Sequence, residues 1–194
     1  MNIGIIGAGN MSSALAGGLI ASEIIRPDEL SISDKNPDSL LKWQTKGVFT
    51  TEDNAEVLKH SDIIIFAVKP NILPLVLEEA KAYTFNKIFI SIAAGVTIET
   101  IEGILGRNVK IIRAMPNTPA KVNCGMTVIA PNRNITKEEL AAATDTLSGW
   151  VGRAGISTLC TGLTLSCFHR LLPCSLPTEN EAPLLSQLSS HQPQ

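Results

Sequence analysis

Gly7-Ala8-Gly9-Asn10-Met11-Ser12 is the segment of this chain best suited to hold a charged ligand, because its two closely spaced glycines bare the backbone amides around them. It follows four residues, Ile3 to Ile6, that read as a buried strand, and it opens a helix rich in small residues: Ser13, Ala14, Ala16, Gly17 and Gly18. In that context Gly7 permits a tight turn and Gly9 lets the backbone approach a diphosphate. The first turn of the helix then offers unpaired amides and its positive dipole end to the phosphates. Ser12 stands where a third glycine would allow close helix-to-strand packing, and serine is small enough to serve. The chemistry implied is capture of a dinucleotide. The plainer alternative, a glycine-rich turn without a ligand, is weakened because the motif opens a series of alternating strands and helices.

About 25 residues beyond Gly9 comes Ser33-Asp34-Lys35-Asn36, at the end of a second strand, where such a site chooses its cofactor. Asp34 suits the ribose hydroxyls of NAD and repels a 2'-phosphate, whereas Lys35, Ser33 and Asn36 suit the 2'-phosphate of NADP. These four residues leave the choice open, and they also read as a solvated turn with an Asx cap.

The elements that must position these residues are legible in the apolar pattern. Short apolar runs predict strands at Ile3 to Ile6, Leu30 to Ser33, Val48 to Thr50, Asp62 to Val68, Lys87 to Ile92, Val109 to Ala114 and Met126 to Ala130. Helical stretches separate them, as in β-α units wound into a parallel sheet buried on both faces. Asn36 followed by Pro37 predicts a helix start and Gly47 its stop. Thr97 predicts another start, before a stripe of Ile98, Ile101 and Leu105. Thr136 and Glu139 form a capping box ahead of a helix carrying Leu140, Thr144, Leu147 and Val151 on one face. The fold class is α/β, a Rossmann-type doubly wound and mostly parallel sheet with a short irregular C-terminal tail.

Composition narrows the partners. The 194 residues are 44% hydrophobic, enough to bury a core, and 16 basic against 18 acidic side chains leave a net charge of -2. No nucleic-acid or membrane partner is expected from so balanced a charge, and no apolar run is long enough to span a bilayer. The expected location is cytoplasmic, consistent with Cys124 as the sole cysteine in the first 159 residues. Beyond Gly155 the composition breaks. Residues 160–194 hold three of four cysteines and four of eleven prolines, with no Lys or Asp. Residues 1–156 therefore read as a dinucleotide-binding domain and 157–194 as a divergent, poorly ordered tail. No metal is expected there, because Cys160, Cys167, His169 and Cys174 lack a paired ligand spacing. His60, at a helix end, reads as a surface residue rather than a catalyst.

Three further segments lie at the ends of predicted strands: Ala67-Val68-Lys69-Pro70, Ser91-Ile92-Ala93-Ala94-Gly95-Val96, and Arg113-Ala114-Met115-Pro116-Asn117-Thr118-Pro119. Each has a local reading. Pro70 turns the chain away from the sheet, Ala93, Ala94 and Gly95 let a flat ring approach backbone, and Pro116 and Pro119 stiffen a loop. Together with the glycine motif they resemble pyrroline-5-carboxylate reductase, from Met1 to about Ile156. The resemblance implies NADP as cofactor, with NAD as the alternative. It implies contacts from Ile6, Gly7, Ala8, Gly9, Asn10 and Met11, from Asp34 or Lys35, from Asn54 near the adenosine, from Ala67, Val68, Lys69 and Pro70, and from Ile92, Ala93 and Ala94. Asn54 alone reads equally well as a helix cap.

The resemblance further implies hydride transfer to the C=N carbon of 1-pyrroline-5-carboxylate, giving L-proline in proline biosynthesis. That chemistry needs positioning and exclusion of water more than acid or base groups, so no catalytic residue is expected. In this family a helical second domain follows, forms the homo-oligomer interface and grips the substrate carboxylate. The remaining 38 residues after Ile156 are too short for it, so the expectation is a truncated form with the interface lost and activity in doubt. A non-catalytic dinucleotide-binding module is the rival reading. Loss of that domain predicts uncovered apolar surface near Leu147 and Trp150, and self-association.

Overall fold

The first six strands lie parallel because each is joined to the next by enough chain to cross back over the sheet as a helix. The computed structural model describes residues 1–116, 127–151 and 156–158, all within one compact unit, Met1–Thr161. Its strands are β1 (Ile3–Ile6), β2 (Leu30–Ser33), β3 (Phe49–Thr51), β4 (Ile63–Phe66), β5 (Ile88–Ser91), β6 (Lys110–Pro116), β7 (Thr127–Pro131) and β8 (Ile156–Thr158). They form one sheet in the order β3-β2-β1-β4-β5-β6-β7-β8. Strand β7 runs antiparallel to β6, and β8 runs parallel to β7. Only ten residues separate Pro116 from Thr127, too few for a helical crossover, so the chain reverses direction there. The order turns at β1 and β4, where ligands of doubly wound sheets bind.

Among the described residues six α-helices cover the sheet: α1 (Asn10–Ala21), α2 (Pro37–Gln44), α3 (Asn54–His60), α4 (Leu73–Ala80), α5 (Ile98–Leu105) and α6 (Lys137–Val151). Alternation along each strand splits the core in two. Ile3, Ile5, Ile32, Ile63, Ile65, Ile90 and Ile112 pack with Leu15 and Leu19 of α1 on one face. Ile64, Phe66, Phe89 and Ile111 pack with Val57, Leu58, Leu73, Leu77 and Ile101 on the other. Phe66 and Phe89 stack across β4 and β5 with ring centroids 5.6 Å apart, a pairing worth about 1 kcal/mol beyond its burial.

The predicted helix starts are observed as hydrogen bonds. Asn36 accepts from the Asp38 amide at 3.1 Å, Thr97 from Thr100 at 3.2 Å, and Thr136 and Glu139 exchange bonds of 3.1 and 3.2 Å. Glu139 also pairs with Lys110 of β6, which holds its carboxyl below the ordinary range and ties α6 to the sheet. Gly47 takes the left-handed φ of +80° expected of a helix stop.

Two features depart from the pattern read in the sequence. Strand β8 continues the sheet through Ser157 and Thr158, past the point where composition breaks. Its three residues are too few to show a period, and its place comes from pairing with β7. Leu147, expected at an uncovered surface, is fully buried with Ala143, because α6 lies on α1 and joins the first core face. The side chain of Trp150 and the tail from residue 159 fall outside the described residues.

Leu147→Ala should therefore cost about 2–5 kcal/mol of stability, as cavities in close-packed cores do. A urea titration followed by circular dichroism measures it, and a change below about 1 kcal/mol would mean that α6 does not pack as seen.

Candidate functional site

The turn between β1 and α1 is built on a steric demand. Gly7 adopts φ +103°, and a Cβ there would meet the Ala67 carbonyl oxygen at 2.7 Å. No other residue fits between the ends of β1 and β4. The Gly7 amide donates to Ser33 O at 2.7 Å, so the end of β2 is strapped to the same turn. Ser12, in the third glycine's place, is buried and donates to Gly9 O at 2.8 Å, which fits it against the turn without loss of packing.

Gly9 differs from Gly7. Its φ is -70°, open to any residue, and nothing lies within 4 Å of where its Cβ would be. No feature of the protein's own packing requires glycine there. The bare, exposed backbone is the space that a diphosphate would fill. Gly9 caps α1 without a side-chain bond, and no acidic residue lies in the first turn. Ser13 is the first helical amide to find a carbonyl, Gly9 O at 2.9 Å. The amides of Asn10, Met11 and Ser12 ahead of it have no partner within the helix and face the helix N-terminal end.

Beside this turn lies a cleft of about 310 Å³ lined by Met11, Ala67, Val68, Pro70, Ile92, Ala93, Ala94, Met115 and Pro116. Three segments that are far apart in sequence thus meet the glycine turn at the carboxyl ends of β4, β5 and β6. The lining is apolar and shallow-sided, as small residues at positions 67, 93 and 94 require. Met115 and Pro116 were singled out in the sequence as part of a motif, but their position on the cleft wall appears only in the fold.

The remaining expected residues divide by placement. Ile6 is buried in the core, leaving only its backbone at the rim. Asn10 is exposed beside Gly9. Lys69 is exposed and stands outside the cleft lining, and its carbonyl accepts the amides of Ile72 and Leu73 at the start of α4. The Ala8 amide donates to the Asp34 carboxylate at 2.6 Å, so Ala8 is joined to β2. Lys35 donates to the Glu52 carbonyl at 2.9 Å. Asn54 is buried at 6% exposure and accepts from the Ser33 hydroxyl at 2.8 Å while donating to Glu79 at 2.7 Å. The cap of α3 is Asp53, which accepts from Ala55 at 2.9 Å, so the cap reading of Asn54 is corrected by one residue. Asn54 instead supports the end of β2 from below. His60 ends α3 at the surface.

Strand order, switch point and the glycine turn together define a Rossmann-type α/β domain. Residues 2–95 match the family model described as NADP oxidoreductase, coenzyme F420-dependent. The chain is 45% identical over 142 residues to the pyrroline-5-carboxylate reductase of Escherichia coli K12, covering 72% of this chain and 52% of that one. Among solved structures, a pyrroline-5-carboxylate reductase from Coxiella burnetii superposes with a TM-score of 0.77 at 33% identity, over 81% of this chain and 58% of that one. A Plasmodium falciparum pyrroline carboxylate reductase with NADP bound gives a TM-score of 0.73 at 30% identity, over 82% of this chain and 57% of that one. Over these matched residues the chain is similar to the pyrroline-5-carboxylate reductases. It spans about half the length of the curated relatives it matches. Among the described residues no helix is long and apolar enough to cross a membrane.

The two glycines should respond differently to alanine. Gly7→Ala, which meets a backbone carbonyl at 2.7 Å, should cost more than about 2 kcal/mol, while Gly9→Ala should cost no more than about 1 kcal/mol. Thermal unfolding of both variants checks this, and equal losses would contradict the geometry of the turn.

Proposed function

We propose that this chain binds a reduced nicotinamide dinucleotide along the β1-α1 turn and the cleft beside it, and reduces 1-pyrroline-5-carboxylate to L-proline. The observation that carries the reading is the open backbone at Gly9: glycine stands where the protein's own packing needs none, beside unpaired helix amides and an apolar cleft. When bound, the cofactor supplies a hydride to the C=N carbon of the substrate, and a proton from solvent completes the amine. The chain's part is geometric. Asn10, Met11 and Ser12 amides would hold the diphosphate, and Ala67, Val68 and Pro70 would carry the ribose beyond β4. Ala93 and Ala94, by their small side chains, would let the nicotinamide ring lie against backbone. Met11, Met115 and Pro116 would shield that ring from water, which strengthens the demand that donor and acceptor meet at about 3–3.5 Å.

A second reading has its own observation. Among the described residues the cleft lining contains no charged or hydrogen-bonding side chain able to grip a substrate carboxylate. On that account the domain binds dinucleotide without turning over, as a binding module.

Calorimetry and a spectrophotometric assay separate these readings. Under the first, the full chain binds reduced dinucleotide and oxidises it only when 1-pyrroline-5-carboxylate is present. Binding without substrate-dependent oxidation supports the module. Gly9→Ala should weaken dinucleotide binding by about tenfold or more, because its methyl occupies the phosphate approach, with the fold retained. Unchanged affinity in that variant would remove the glycine turn from the site.

A further inference from the structure

We infer that Asp34 makes this site prefer the dinucleotide without a 2'-phosphate, so that both forms bind but NADH binds more tightly than NADPH. This rests on the dinucleotide reading above and adds to it the residue that sets selectivity. The amino-acid pattern left Asp34 and Lys35 in balance; their hydrogen bonds break the tie.

Asp34 stands one residue beyond β2, half-buried, and its carboxylate is held from two directions. Oδ2 accepts from the Ala8 amide at 2.6 Å, and Oδ1 accepts from the Asn36 amide at 2.8 Å. Its own amide donates to Thr51 O at 3.3 Å. A carboxylate fixed by backbone on both oxygens cannot swing aside to admit another anion. It is bonded to the glycine turn itself, so any ligand laid along that turn has this charge as its neighbour. A carboxylate has about four acceptor sites, two of which the backbone takes here, and vicinal ribose hydroxyls are donors that match the others. A 2'-phosphate placed there brings negative charge against negative charge, and selectivity by such a repulsive element is a general device.

Among the described residues, the two lysines that follow Asp34 most closely in the chain are engaged elsewhere. Lys35 Nζ donates to the Glu52 carbonyl, across the end of β3. Lys42 Nζ donates to the Ser13 hydroxyl at 2.6 Å, on α1 beyond the turn. Neither meets the Asp34 carboxylate among the described ion pairs. Below Asp34, the Ser33-Asn54-Glu79 chain of hydrogen bonds fixes the end of β2, so the carboxylate is anchored through its backbone as well.

The test is calorimetric titration of the full chain with NADH and with NADPH, for the natural sequence, Asp34→Asn and Lys35→Ala. The natural chain should bind NADH about tenfold more tightly than NADPH, a repulsion effect that Asp34→Asn should reduce to about threefold or less by strengthening NADPH. Lys35→Ala should leave the ratio within about threefold of the natural one, as an exposed lysine bonded elsewhere would. NADPH bound as tightly as NADH by the natural chain overturns the assignment and leaves the dinucleotide reading standing. So does an Asp34→Asn variant that weakens both cofactors equally, which marks Asp34 as a brace for the turn alone. A selective loss of NADPH in Lys35→Ala also overturns it, whether or not Asp34→Asn folds. No heat from either cofactor overturns both the selectivity and the site.

Discussion

The contact between Gly7 and the Ala67 carbonyl is the constraint on which the rest of this domain depends. A left-handed residue with no room for a side chain lets the ends of β1 and β4 close on one another at the point where strand order turns. From there a line of backbone hydrogen bonds crosses the rim: Gly7 to Ser33 O, Ala67 to Ile6 O at 2.9 Å, and Ile92 to Phe66 O at 3.2 Å. These bonds set the ends of β1, β2, β4 and β5 at one level. Segments separated by dozens of residues become walls of one cleft because of it.

The polar residues near the site mostly serve the protein rather than face a ligand. Asp34 binds the turn, Asn54 binds Ser33 and Glu79, and Lys35 binds a carbonyl on the next strand. Leaving the buried Ser33 or Asn54 groups unpaired would cost about 1–3 kcal/mol each, so their pairing is part of the fold's stability. What remains for a ligand is backbone amide, apolar wall and the acceptor sites that the Asp34 carboxylate keeps beyond its two backbone partners. That division suits the proposed hydride transfer, in which the protein would orient two flat groups and need not shuttle protons itself.

Much of the fold was legible from local chemistry. Helix starts at Asn36, Thr97 and Thr136 follow from side chains that accept backbone amides, an interaction within a few residues. Strands β1, β2 and β4 through β7 follow from apolar runs buried on both faces. Strand β8 was not legible, because three residues carry no period and its partner is distant in sequence. The family resemblance, with its missing helical domain, predicts a bare surface at Leu147. The packing of α6 on α1 covers it within the domain, a contact between residues more than a hundred positions apart.

By itself the sequence determined the element types, the glycine turn and the segments that end each strand, since these depend on side-chain size, capping groups and the freedom of φ at single residues. Only the tertiary structure decided which of those residues share a cleft, which way Asp34 and Lys35 are committed, and that Asn54 lies in the interior. Each of those outcomes turns on hydrogen bonds or contacts between strands that meet only after the sheet has formed. No local pattern encodes them, because the same side chain can pair with solvent, a neighbour or a distant strand, and only proximity in the folded chain selects among these.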